Sequence, residues 1–62
     1  MCLVALRQDL EEYEAEKEEI VEALRHATHK KAHELEKRHL ECLKNIRLTW
    51  QDIRMVQRLE NA

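Results

Sequence analysis

Glycine, proline and phenylalanine are absent from the 62 residues, and the aromatics amount to Tyr13 and Trp50. Without glycine or proline the usual residues of tight turns are missing, which argues against a fold of many short elements and leaves no glycine-rich loop to approach phosphate. Long apolar runs are missing as well. The opening Met1 to Leu6 is apolar but stops at Arg7, far short of the roughly 20 residues that a bilayer-spanning helix needs. It carries no basic leader with an apolar segment of signal-peptide length, and Cys2 stands where myristoylation needs glycine.

Cysteine is scarce and unpatterned: Cys2 and Cys42 stand alone. On one straight helix rising about 1.5 Å per residue they would lie roughly 60 Å apart, so they cannot pair within such a chain. Two unpaired thiols fit a reducing compartment, and a cytoplasmic location is expected.

What is present favours helix. Charged residues make up 39% of the chain and hydrophobic ones 44%, a balance too apolar for a solvated tail and rich in Ala, Glu, Lys, Leu and Arg, as long helices and coiled coils are. Leu3, Leu6, Leu10, Tyr13, Lys17, Ile20 and Leu24 follow one another in alternating steps of three and four, the a and d spacing of a heptad seam. The alternation resumes at Leu35, His39, Cys42, Ile46, Thr49, Ile53 and Val56, one residue out of register with the first half, and the join runs through Leu24, Thr28, Ala32 and Leu35. Such a skip unwinds the supercoil locally toward a straighter helix. The expected fold is therefore all-α: one long helix over residues 1–62, about 90 Å from end to end, forming a coiled coil. A helical hairpin folding near His26 to His33 is the alternative, and its turn would have to be built from HATHKKAH without Gly, Pro, Asn or Asp. A chain of this size seldom stabilises itself alone, and the segment is expected to belong to a longer protein.

Charge predicts orientation. Residues 9–22 hold eight acids and one base, net −7, whereas residues 25–62 hold nine bases and five acids, net +4. A parallel dimer would lay the acidic runs side by side, so an antiparallel homodimer is expected. With facing numbers totalling about 63, Leu10 meets Ile53, Tyr13 meets Thr49 and Trp50, Lys17 meets Ile46, Ile20 meets Cys42 and Leu43, and Leu24 meets His39. Leu43 and Trp50 widen the seam, and Leu48, Met55 and Leu59 form a second apolar line almost opposite. Two lines on one helix suggest two neighbours, which allows a tetramer or docking by another helical protein.

Glu22, His26, His29 and His33 fall on one helical stripe, and His29 and His33 have the i, i+4 spacing of a metal clip. Nothing in the sequence supplies the supporting shell that a metal site needs, so the stripe reads as a solvated face and no metal or other cofactor is expected. His39 and Lys17 interrupt the seam and read as tolerated polar layers. The stretch Glu16 to Ala27 resembles the ubiquitin-interacting motif: an acidic run, then Ile20, Ala23 and Leu24 at the motif's apolar and alanine positions, with Ala27 in place of its serine and Lys30 in place of its closing acid. That resemblance implies a ubiquitin-binding helix around residues 20–27.

Catalysis has no footing, because the carboxylates form a solvated run and neither thiol has a positioned base. Nucleic acid is not an expected partner either, with bases interleaved among acids and a net charge of −2. The function expected is oligomerisation or scaffolding through helix association, with itself or with a partner helix of another protein.

Overall fold

The computed structural model describes residues 2–61 as two α-helices, α1 Leu3–Arg25 and α2 His29–Glu60, packed against each other. The all-helical expectation holds, but the single continuous helix does not: the chain breaks at His26–Thr28 and folds back on itself. The Cα trace spans 50 × 14 × 13 Å, little more than half the expected rod.

The physical reason lies in the turn. His26 has φ −114° and ψ 4°, and Thr28 has φ −70° and ψ 163°, conformations open to any residue. No described residue has a positive φ, so the lack of glycine or asparagine within the turn never bears on this reversal. His26 donates its N–H to the Ala23 carbonyl at 3.2 Å to close α1, and Ala32 donates to the Thr28 carbonyl at 2.8 Å to open α2. Once the chain can reverse there, the two half-seams meet within one molecule. Closing a short loop costs less entropy than bringing two chains together at low concentration.

The seam given by the heptads is what the fold buries. Leu6, Leu10 and Ile53 form one cluster, with Leu3, Ile46 and Val56 packed on it. Ile20, Leu35 and Cys42 form another, with Tyr13, Leu24, Ala27 and Ile46 around it. Lys17, Ala32 and His39 are half-buried along the same line. Each fully buried aliphatic side chain is worth about 1.5–3 kcal/mol, so a handful of layers accounts for most of the cohesion. Leu10 and Ile53 share a cluster, as do Ile20 and Cys42, and these are associations within one chain where the heptads alone predict a dimer. Tyr13 lies against Cys42 and packs on its cluster, where the dimer register sets it opposite Thr49 and Trp50. The centre of antiparallel pairing has moved from Lys31 and Ala32 to the turn, because the turn is now the pivot.

Thr49 is buried in the seam without penalty: its hydroxyl donates to the Asn45 carbonyl one turn back at 2.8 Å, so no polar atom is stranded.

Candidate interaction surface

Three of the expected interface residues, Thr28, Leu43 and Trp50, are exposed, as are Leu48, Met55 and Leu59 of the second line. Thr28 is exposed because it stands in the turn; Leu43 and Trp50 lie outside because α2 must use its Cys42–Ile46–Thr49–Ile53 stripe for α1, which rotates the neighbouring stripe outward. Along that neighbouring stripe Leu40, Leu43, Arg47, Trp50, Arg54 and Gln57 follow one another in steps of three and four, a second heptad line on the flank of the hairpin. Leu40 falls outside the seam pattern, and its i−3 spacing from Leu43 is the signal that ties it to this line. Leu40, Leu43 and Trp50 keep 68%, 40% and 44% of their surface in solvent. Large apolar groups gathered in one line mark a surface that binds something more often than scattered ones do.

Trp50 divides two shallow depressions. One lies on α2 itself, between Leu43, Ile46, Arg47, Trp50, Gln51 and Arg54. The other crosses between the helices and is lined by Arg7, Leu10, Glu11, Trp50, Ile53 and Gln57. The second groove fixes which side of α1 accompanies the flank: it is the side of Arg7 and Glu11, continued toward the turn by Glu14, Glu18 and Val21 at heptad spacing. On this one side of the rod the open end is basic and aromatic, through Arg7, Arg47, Trp50 and Arg54. Toward the turn the α1 side carries Glu14 and Glu18, with Lys17, Glu22 and Arg25 beside Glu18 and Val21.

The histidines are dispersed. His26 caps α1 and reaches Glu22 at 3.5 Å, beside an Arg25–Glu22 contact of 3.6 Å; all three side chains are exposed. His29 opens α2 and His33 sits a turn later. Among the described residues no three His, Cys, Asp or Glu side chains gather as a metal site. Within the stretch that resembles a ubiquitin-interacting helix, Ile20 is only 2% exposed and Leu24 packs beside it, so a partner seeking that face meets α2 first.

The thiols differ in setting. Cys42 is buried, and burial together with the nearby Glu16 carboxylate pushes its pKa up, Lys17 acting in the opposite sense. Cys2 is exposed at the start of α1, where the backbone N–H groups of Ala5 and Val4 hold its pKa down. No helix among the described residues is long and apolar enough to cross a membrane. In comparisons with known proteins the chain matches no family model, no curated protein and no solved structure.

Proposed function

We propose that this chain is a protein–protein association module whose hairpin binds a second copy of itself through the Leu40–Leu43–Trp50 flank of α2. The observation that supports this reading is the segregation of charge along that flank. A two-fold, antiparallel arrangement of two hairpins sets Arg47, Trp50 and Arg54 of each against Glu14, Glu18 and Val21 of the other. A parallel arrangement sets like against like. The apolar line supplies cohesion and the charges choose the orientation, since exposed ion pairs are individually worth only about 0–1 kcal/mol. Four helices then enclose one core, the bundle geometry that antiparallel hairpins commonly adopt. The expectation of an antiparallel homodimer is kept in this form, with the seam closed inside each chain and the flank closed between chains. Such a module scaffolds a larger protein instead of catalysing a reaction, and its two free thiols suit the reducing cytoplasm.

Sedimentation equilibrium of the purified chain tests the proposal. A dimer is expected that loosens in high salt, with Trp50 fluorescence shifting to shorter wavelength as concentration rises. At low micromolar concentration, where the closed hairpin predominates, Trp50→Glu is expected to return the chain to monomer while its circular dichroism stays helical. A chain that remains monomeric at every concentration, with Trp50 emission unshifted, overturns self-association and leaves the flank to a helix of another protein.

A further inference from the structure

We infer that the hairpin has a second, domain-swapped form, in which His26–Thr28 straightens, each chain becomes one helix, and α1 of one copy packs antiparallel on α2 of another.

The first observation is the chemistry of the break. A helix start favours an N-cap side-chain hydrogen bond and acids in the first turn, because its first N–H groups lack partners and carry partial positive charge. At the start of α2, Thr28 forms no side-chain cap bond and the first turn holds no acid. It carries His29, Lys30 and Lys31 instead, so it places basic groups at the positive end of the helix dipole. The same residues are ordinary in a helix interior. Straightening the turn gives the unpartnered N–H groups of α2 to carbonyls at the end of α1, and needs no residue to leave an unfavourable φ, since none is positive.

The second observation is phase. At about 100° per residue, every seam position from Leu3 through Leu24, Thr28, Ala32 and Leu35 to Val56 falls within an arc of roughly 120° on one continuous helix. The break is therefore not required to bring the two half-seams to a common face. In addition, the long-range contacts of the fold are all α1–α2 contacts. Each of them, the Cys42–Tyr13 contact included, can form between two chains as it does within one. The swapped form thus keeps the seam and repairs the helix break, at the entropic cost of bringing two chains together, which concentration offsets. It does not depend on the flank: Leu40 is 68% exposed and lies outside the exchanged seam.

The test uses the native Cys42 with Tyr13→Cys in a Cys2→Ser background. The Cys42 Sγ lies 3.1 Å from the Tyr13 carbonyl oxygen, so the main chain of α1 passes close to this thiol, and loss of free thiol on oxidation confirms that the new pair has closed in either form. The closed hairpin yields a disulfide within one chain and runs as a monomer on a non-reducing denaturing gel. The swapped form yields two disulfides between chains and runs as a dimer. The dimer band is expected to grow as protein is raised from micromolar to millimolar before oxidation. It should grow further with Thr28→Ala, which raises helix propensity at the join, and shrink with Ala27→Gly. Leu40→Glu, on the flank and clear of α1, should leave it unchanged, whereas hairpins docked only through their flanks give monomer bands alone. Monomer bands at every concentration, with Thr28→Ala included, overturn the inference. If Tyr13→Cys fails to fold, spin labels at the exposed Glu12 and Lys44 in a cysteine-free background decide it, with labelled chains diluted into unlabelled ones. The swapped helix separates them by roughly 48 Å along one axis; the closed hairpin holds them below about 25 Å, with helix axes about 8–10 Å apart. Only the short distance at high concentration refutes the swap.

Discussion

The Cys42 thiol donates to the main-chain carbonyl of Tyr13 across 3.1 Å, joining two residues 29 apart in sequence through a group that is almost completely buried. The contact fixes the relation of α1 to α2 near the middle of the rod, and it requires the thiol to keep its proton.

Reactivity of the two cysteines should separate accordingly. Cys2 is exposed, with its pKa held down by backbone N–H groups, while Cys42 is buried with its pKa raised by burial. Alkylation near neutral pH is expected to label Cys2 first and to reach Cys42 only as fast as the hairpin opens. Linkage follows in sign: the folded state holds the Cys42 proton above the ordinary value of 9.0, at which the unfolded chain releases it. Stability from this group is thus complete below about pH 9 and declines as pH rises past it. Mass spectrometry of a timed alkylation checks the first claim, and equal labelling rates would show that Cys42 is not enclosed. Chemical denaturation between pH 7 and 10, compared with Cys42→Ala, checks the second.

Burial divides the apolar residues of α2 into two energetic classes. Ile53 is 2% exposed inside the seam, and Met55 two residues later is 59% exposed. Ile53→Ala is expected to cost about 2–5 kcal/mol, a large share of the stability of so small a fold. Met55→Ala should change it by less than about 0.5 kcal/mol. Thermal melts followed by circular dichroism give both values. An Ile53-sized loss at Met55 would mean that the Leu48–Met55–Leu59 line is covered in solution.

The heptad spacing makes nearly all of the buried seam legible in the sequence, because a residue that recurs every three or four positions must face one neighbour whichever chain supplies it. The identity of that neighbour is not legible there. A stripe on one long helix and a stripe folded on itself show the same periodicity, and the deciding event is a reversal at His26–Thr28 made from residues with no turn preference. The expectation that a reversal needs glycine or asparagine fails here because this turn stays at negative φ. The flank is partly legible: Leu43 and Trp50 stand out as surplus apolar residues. Their alignment with Leu40, Arg47 and Arg54, and with the acidic side of α1, depends on the rotation of α2 that packing imposes.

The start of α2 offers the most direct handle on the hairpin. Thr28 occupies the N-cap position in extended conformation, yet its hydroxyl makes no bond, and no acid stands in the first turn. Lys31 is three residues on, where a glutamate would complete the reciprocal Thr-x-x-Glu arrangement, its carboxylate accepting from the Thr28 N–H while the threonine hydroxyl accepts from the N–H at position 31. Lys31→Glu also replaces a cation at the positive end of the helix dipole with an anion. Together the two changes should stabilise α2 as a separate helix by about 0.5–2 kcal/mol. For a domain of this size, each kcal/mol raises the melting temperature by roughly 4–8 °C. Lys31→Gln can close the same reciprocal cap but brings no anion to the helix dipole, and should deliver only part of the gain. Melts at low micromolar concentration, where the closed chain predominates, measure the effect. A Lys31→Glu protein that melts at or below the parent temperature would show that α2 does not begin at His29 in solution, and that the chain runs through Thr28 as helix even when dilute.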